Sequence, residues 1–410
     1  MKNNHINISN YIYHLPKEKI ALSPCENRDE SKLLIFKGNT ISEDIFKHIP
    51  QYLEDEHLLA FNNTRVIQAR IFFRKPTGST VEIFCLEPLS PTTVHSLIFE
   101  TKQRCEWECL IGNNKKFTAP LSLEFQCDGQ TGILQAEKIN EHTATSYRVR
   151  FSWTPQELSF AKVLDSVGKM PLPPYIKRDT NSTDTERYQT IYAKKKGSVA
   201  APTAGLHFTS EVLEEIRKKG IPTAEITLHV GAGTFKPVTE TYIENHLMHE
   251  EQLFFTNETI RELVCYKDKK IIAVGTTTAR ALESLYWIGV KLTYPNLSPG
   301  GVGGGFSIAQ WEVYEELIPK QQTVEQSLTT ILNYMNNNNL EVLHASTALI
   351  ITPYYQPKMV KGIITNFHQP QSTLLLLISA FVGDKWKGIY DYALSHDFRF
   401  LSYGDACLFL

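Results

Sequence analysis

The sequence predicts an α/β protein whose main domain is interrupted by an all-β insertion, and three observations predict it. Residues 71–152 run in short segments of alternating apolar and polar residues, such as STVEIFCLE and TSYRVRFSW, broken by Pro, Gly and Asn. That period of two is the mark of β-strands. After residue 153, strand-like and helix-like segments alternate, as in a parallel α/β architecture. Each strand-like segment there ends in a polar cluster, at the edge where α/β sheets bind their ligands.

Taken in order, the stretch to about residue 70 mixes turn signals with apolar runs and closes in LLAFNNTRVIQARI (58–71). Residues 71–152 read as a small barrel, which leaves a discontinuous main domain of residues 1–70 and 153–410. Residues 210–219 predict a helix, with Glu211 in its first turn, Arg217, Lys218 and Lys219 in its last, and Gly220 placed to stop it. Residues 223–230 then alternate, Ala224, Ile226, Leu228 and Val230 on one face and Glu225, Thr227 and His229 on the other. KIIAV (270–274) and VKGII (360–364) read as buried strands. The first leads to a helix from about Ala279, the second to an apolar helix over 374–382. Residues 288–346 are less regular and read as an extended loop and helix insertion. Its SPGGVGGG (298–305) fits neither a dinucleotide fingerprint nor a P-loop and reads as a mobile loop.

Composition narrows the class of function. A chain of 410 residues, 42% hydrophobic and 21% charged, can bury a substantial core. With 42 Lys+Arg against 44 Asp+Glu the net charge is -2, so a nucleic-acid partner has to meet a local basic patch. The seven cysteines are scattered, with no CxxC pair, which argues against a disulfide framework and a thiolate zinc site. The apolar run 374–382 is under half of the ~20 residues a bilayer requires. MKNNHINISNYIYH lacks an apolar signal core, so a cytoplasmic protein that neither spans nor joins a membrane is expected.

Five motifs crowd polar residues beside Gly, Pro and small residues, where a packed core would need apolar ones: FNNTR (61–65), AAPTAGLHFT (200–209), LHVGAGTFKPV (228–238), VGTTTARALES (274–284) and TNFHQPQST (365–373). His246 and His249 invite a metal reading, but HExxH is absent, and hydrogen bonding by His249 and Glu251 in a polar pocket is the preferred one; no metal is expected. His207, His229 and His368 each lie close to a strand end. In GTTTARALES, hydroxyls and N–H groups at a helix start favour an anionic group, Arg280 can pair with a carboxylate, and Glu283 can accept from hydroxyl or ammonium groups. RFLSYGDAC (399–407) gathers Arg399, Tyr403 and Asp405 around a glycine, and the apolar end after it should be docked.

As a set these blocks resemble the S-adenosylmethionine:tRNA ribosyltransferase-isomerase family of queuosine biosynthesis. The resemblance runs from YHLPKEKIALSP (13–24) and RDESKLL (28–34) through KMPLPPYIKR (169–178), RYQTIY (187–192) and HLMHEE (246–251) to RFLSYGDA. It implies a large α/β barrel-like domain interrupted by a smaller antiparallel β-barrel domain, acting as a monomer without a metal or a permanently bound cofactor. S-adenosylmethionine would be co-substrate. Its ribosyl moiety would move, with isomerisation, onto 7-aminomethyl-7-deazaguanine at the tRNA wobble position, giving epoxyqueuosine, adenine and methionine. His207, His229, His249 and His368 form the expected pool of acids and bases. Substrate contacts are expected from Asn63, Thr64, Arg65, Thr203, Gly205, Gly231, Gly233, Thr234, Phe235, Glu251, Thr276, Thr277, Arg280, Glu283, Asn366, Ser372, Thr373, Tyr403 and Asp405. Among these, Arg280 and Thr276 are assigned to the methionine moiety and Asp405 to base or ribose. The chain departs from the family pattern at Asn63, Gln68, Glu250, Gln369 and Gln371. A paralogue using the same donor on another acceptor, and a non-catalytic RNA-binding protein on the same scaffold, are the alternative readings.

Overall fold

Four parallel strands, Thr223–Leu228, His57–Asn62, Lys270–Val274 and Val360–Asn366, lie side by side in that order in the middle of a ten-stranded sheet. Glu251–Thr256, Val342–Thr347 and Phe306–Ile308 extend it on one side; Ala406–Phe409, Lys32–Lys37 and Thr40–Ile45 extend it on the other. The computed structural model describes residues 5–143, 145–231, 238–294 and 306–410. His57–Asn62 is buried along its whole length and Lys270–Val274 after its first residue, as continuous apolar runs covered on both faces should be.

The α/β class is as expected, but the sheet is mixed instead of parallel. Glu251–Thr256 runs antiparallel to both neighbours, and Ala406–Phe409 runs antiparallel to Val360–Asn366. Among the described residues, the link from Leu228 to Glu251 holds only the short helix Ile243–Asn245. The expected helix is Ser210–Lys218: the Thr209 hydroxyl accepts from the Val212 N–H at 3.3 Å, and Gly220 takes φ +71, a left-handed conformation that favours glycine. The carboxyl terminus is docked, Ala406–Phe409 being buried and paired on both edges.

Residues 288–346 are integrated into this architecture more fully than an inserted loop would be. The helix Thr276–Thr293 covers the first of them, Phe306–Ile308 and Val342–Thr347 are sheet strands, and Val324–Asn337 packs on Thr276–Thr293. At that crossing Gly289 lies against Ser327, whose hydroxyl donates to the Tyr286 carbonyl at 2.6 Å. A three-residue strand carries too few residues to show a period, which is why it escaped the pattern. SPGGVGGG lies outside the described residues.

The chain divides into two compact units, Met1–Asn63 with Thr190–Ala193 and Pro202–Leu410, and Thr64–Gln189 with Lys194–Ala201. The second unit is built on a seven-stranded antiparallel sheet that curls until Arg70–Arg74 and Leu121–Cys127, near its two edges, approach each other. It takes in residues on both sides of 71–152. Gly168–Lys169 pairs with Arg70–Arg74, Lys195–Ser198 pairs with Thr64–Val66, and the helix Phe160–Val167 adds Phe160, Val163 and Leu164 to a core containing Trp107 and Phe151. Among the described residues the cysteines form no disulfide, and no helix is long and apolar enough to cross a membrane.

Candidate functional site

The carboxyl ends of the central strands lead into the motifs singled out from the sequence. Lys270–Val274 ends at Gly275, whose φ of +95 turns the chain directly into the helix Thr276–Thr293. Glycine has no side-chain oxygen to cap this helix, so the first-turn N–H groups are left for other acceptors. Val360–Asn366 leads, through a turn in which Gln371 takes φ 54, to the helix Thr373–Val382, capped by the Ser372 hydroxyl accepting from Leu375 N–H at 3.3 Å.

The two helix starts line one cleft, of about 60 Å³, together with the segment 246–251 and residues 349–351. Of the expected residues it brings together His249, Glu251, Thr276, Thr277, Arg280, Ser372 and Thr373. Arg280 and Glu251 form a buried ion pair in its wall. Burial pushes the Arg280 guanidinium down to about 10, so it stays charged at neutral pH. The Thr277 hydroxyl oxygen is buried with no hydrogen-bond partner. Leu349, Ile350, Ile351, Leu374 and Leu377 supply apolar wall. His246 also borders the cleft; burial first, then the neighbouring His249, lowers its pKa. Two dipole starts and a guanidinium favour a carboxylate or phosphate, while Glu251 favours a cationic group.

The other expected histidines are placed differently. His207 is buried in a hydrogen-bonded chain: Asn366 Nδ2 donates to its Nε2 at 3.1 Å, and its Nδ1 lies 2.7 Å from the Ser31 hydroxyl. The Thr203 hydroxyl donates to Asn366 Oδ1 at 2.8 Å, which fixes the amide's orientation. His368 is buried with Nε2 2.9 Å from the Thr365 hydroxyl. His229 is buried against Phe254. None of the three borders the cleft, and burial pushes His207 down to about 4 and His368 to about 3. Both are therefore neutral near pH 7, a form that accepts a proton and does not donate one, and they stand apart from His249, which lines the cleft. An unfolded histidine protonates below about 6.5 while these folded ones do not, so their contribution to stability is complete above that pH and is lost as pH falls toward 4 and 3. Urea unfolding at pH 7 and pH 5 should show a loss of about 1–2 kcal/mol for each histidine. Stability that stays level across this window would contradict the burial argument.

Several other expected contacts serve the fold. Glu283 is fully buried and accepts from the Tyr355 hydroxyl at 2.5 Å and from the N–H groups of Lys358, Met359 and Val360 at 2.8, 2.9 and 2.9 Å. Its oxygens are occupied by protein donors, which corrects its assignment to substrate. Asn63 donates to Glu225 at 3.0 Å and accepts from the Thr227 hydroxyl at 2.7 Å, joining two neighbouring strands. Gly205 is required by packing, since a Cβ there would meet the Tyr192 hydroxyl. Asp405 accepts from the N–H groups of Lys32 and Arg399 at 3.0 and 2.7 Å; burial raises its pKa, opposed by Arg399. Tyr403 is buried and Gly231 half-buried, neither on the cleft. Thr64 and Arg65 belong to the second unit. Gly233, Thr234 and Phe235 lie outside the described residues. The apolar wall was missed because Leu and Ile in periodic runs read as core. Among the described residues no group of three or more His, Cys, Asp or Glu side chains is arranged to hold a metal ion.

A profile of the family described as queuosine biosynthesis protein matches residues 8–409. The S-adenosylmethionine:tRNA ribosyltransferase-isomerase of Natranaerobius thermophilus is 37% identical over 405 residues, covering 97% of this chain and 98% of that one. The protein of the same name from Halothermothrix orenii is 35% identical, covering 98% and 99%. A solved structure of S-adenosylmethionine tRNA ribosyltransferase from Thermotoga maritima is similar at 27% identity and a TM-score of 0.45, covering 98% of this chain and 99% of that one. On the nearly full-length match to the profile and to these relatives, the chain belongs to the S-adenosylmethionine:tRNA ribosyltransferase-isomerase family.

Proposed function

We propose that the protein transfers and isomerises the ribosyl moiety of S-adenosylmethionine onto 7-aminomethyl-7-deazaguanine at the wobble position of tRNA, forming epoxyqueuosine and releasing adenine and methionine. The observation that carries this reading is the pairing of two helix starts with Arg280 and Glu251 in one cleft, a charge pattern complementary to the zwitterionic end of the donor. The donor's carboxylate meets Arg280 and the first-turn N–H groups of Thr276–Thr293, and its ammonium group meets Glu251. The apolar wall of Leu374, Leu377 and Ile350 holds the methionine side chain and excludes water.

The sulfonium acidifies the adjacent C5′ hydrogens, so a neutral base suffices to form a carbanion there. His249, exposed at the mouth of the cleft, takes that role, since His207, His229 and His368 do not line the cleft. As the aminomethyl nitrogen joins the sugar, adenine leaves with a proton, and the carbon–sulfur bond breaks as a sugar oxygen closes onto that carbon to form the epoxide, releasing methionine as a neutral thioether. Purified protein, S-adenosylmethionine and tRNA bearing the aminomethyl-deazaguanine should together release adenine, with the matching mass gain in the nucleoside. Adenine release should be insensitive to a chelator. Donor binding without adenine release would instead favour a non-catalytic RNA-binding protein.

Thr277 gives a sharper check on the donor end of the cleft. Its buried hydroxyl lacks a protein partner, so Thr277→Val should leave thermal stability unchanged or raised. If the hydroxyl serves the donor, KM for S-adenosylmethionine should rise about tenfold. An unchanged KM would remove Thr277 from the donor site.

A further inference from the structure

The segment 246–249 carries a feature that the donor site does not use. Leu247 is 81% exposed, more than any other large apolar residue described, although His246, Met248 and His249 on either side of it all border the cleft. Met248 packs inward against the apolar cluster of Ile243 and Ile350, so in an extended backbone its neighbour Leu247 must face solvent. A lone exposed leucine needs no explanation. This one is held in place by a dedicated contact.

The holder is Gln310. Its side-chain amide grips the backbone on both sides of Leu247, donating to the His246 carbonyl at 2.7 Å and accepting from the Met248 N–H at 3.0 Å. The Gln310 carbonyl accepts from the Ile350 N–H at 3.4 Å, joining a further wall of the cleft. Two residues on, Glu312 forms a largely buried ion pair with Lys291 at 2.6 Å, which anchors this turn to the far end of the helix whose start lines the cleft. The amide therefore fixes an apolar side chain outward at the rim while keeping His249 at the mouth.

We propose that Gln310 is a positioning residue that presents Leu247 as an apolar contact for the tRNA acceptor, packing against the face of a nucleobase unstacked beside the wobble position. This rests on the activity proposed above. An unstacked base has an apolar face on the scale of one leucine, and Leu247 stands between residues that line the cleft where the reacting nucleotide has to be presented.

Steady-state kinetics of adenine release and anisotropy of fluorescent tRNA test this together. Leu247→Ala should raise KM for the modified tRNA about tenfold, leaving kcat and the KM for S-adenosylmethionine within about twofold. Gln310→Ala should raise the same KM and also lower kcat, because His249 shares the segment. The double variant should show no larger KM than Gln310→Ala alone, since the two residues act through one contact. Equal tRNA affinity of wild type and Leu247→Ala, or additive effects in the double variant, would overturn the proposal. Because Leu247 is exposed, its variant remains decisive if Gln310→Ala does not fold. A wild-type protein that binds tRNA but releases no adenine would count against the activity, while the affinity comparison would still decide the contact.

Discussion

Arg280→Ala should lower kcat/KM for S-adenosylmethionine about a thousandfold, roughly 4 kcal/mol, because the change removes the donor's carboxylate partner together with the buried guanidinium that faces Glu251. Arg280→Lys should recover only part of the loss, since a lysine carries the charge without the planar fork that can grip a carboxylate and Glu251 at once. Titration of each variant with the donor separates the two effects: weakened binding with intact thermal stability marks a donor contact, whereas lost stability with unchanged affinity marks a structural pair. Retention of kcat/KM within about fivefold would remove Arg280 from the site.

Glu283→Ala should destabilise the protein by about 3–5 kcal/mol. Three backbone N–H groups and the Tyr355 hydroxyl would lose the acceptor that the fully buried Glu283 provides. Burial raises the Glu283 pKa while those four hydrogen bonds oppose the shift. Glu283→Gln keeps one acceptor oxygen but turns two donors toward donors, so it should also destabilise, by less than alanine. Denaturant unfolding checks both, and a change below about 1 kcal/mol in Glu283→Ala would contradict the clamp.

The comparison of these two residues shows what the sequence could reveal. Both sit in GTTTARALES and both are polar in an apolar helix, so pattern alone placed them together in the site. Three residues along a helix is about 4.5 Å along its axis. That step moves Glu283 away from the N-terminal turn and toward Lys358–Val360, where its carboxylate ties the segment before a central strand. Composition cannot distinguish a buried acid that binds its own backbone from one that awaits a ligand.

The same limit governs the histidines. His207 and His249 each directly follow an apolar residue in a polar motif, yet one is locked between Ser31 and Asn366 while the other is exposed at the cleft. Partners 176 and 159 residues away in sequence decide which is which. Two central strands were legible as continuous apolar runs, KIIAV coinciding with Lys270–Val274 and VKGII falling within Val360–Asn366, and Thr223–Leu228 was legible by its alternation. The mixed pairing was not, since strand direction depends on what the connection between two strands can span. Gln310 left no signal at all, because a single glutamine that binds backbone looks like any surface residue.

Hydrogen exchange with and without S-adenosylmethionine tests most directly whether the cleft between the two helix starts is the donor site. Slowed exchange of the amides of residues 276–281 and 373–377, by about tenfold or more, is the predicted result. Protection confined to other segments, with these first-turn amides exchanging as fast as in the free protein, would contradict it.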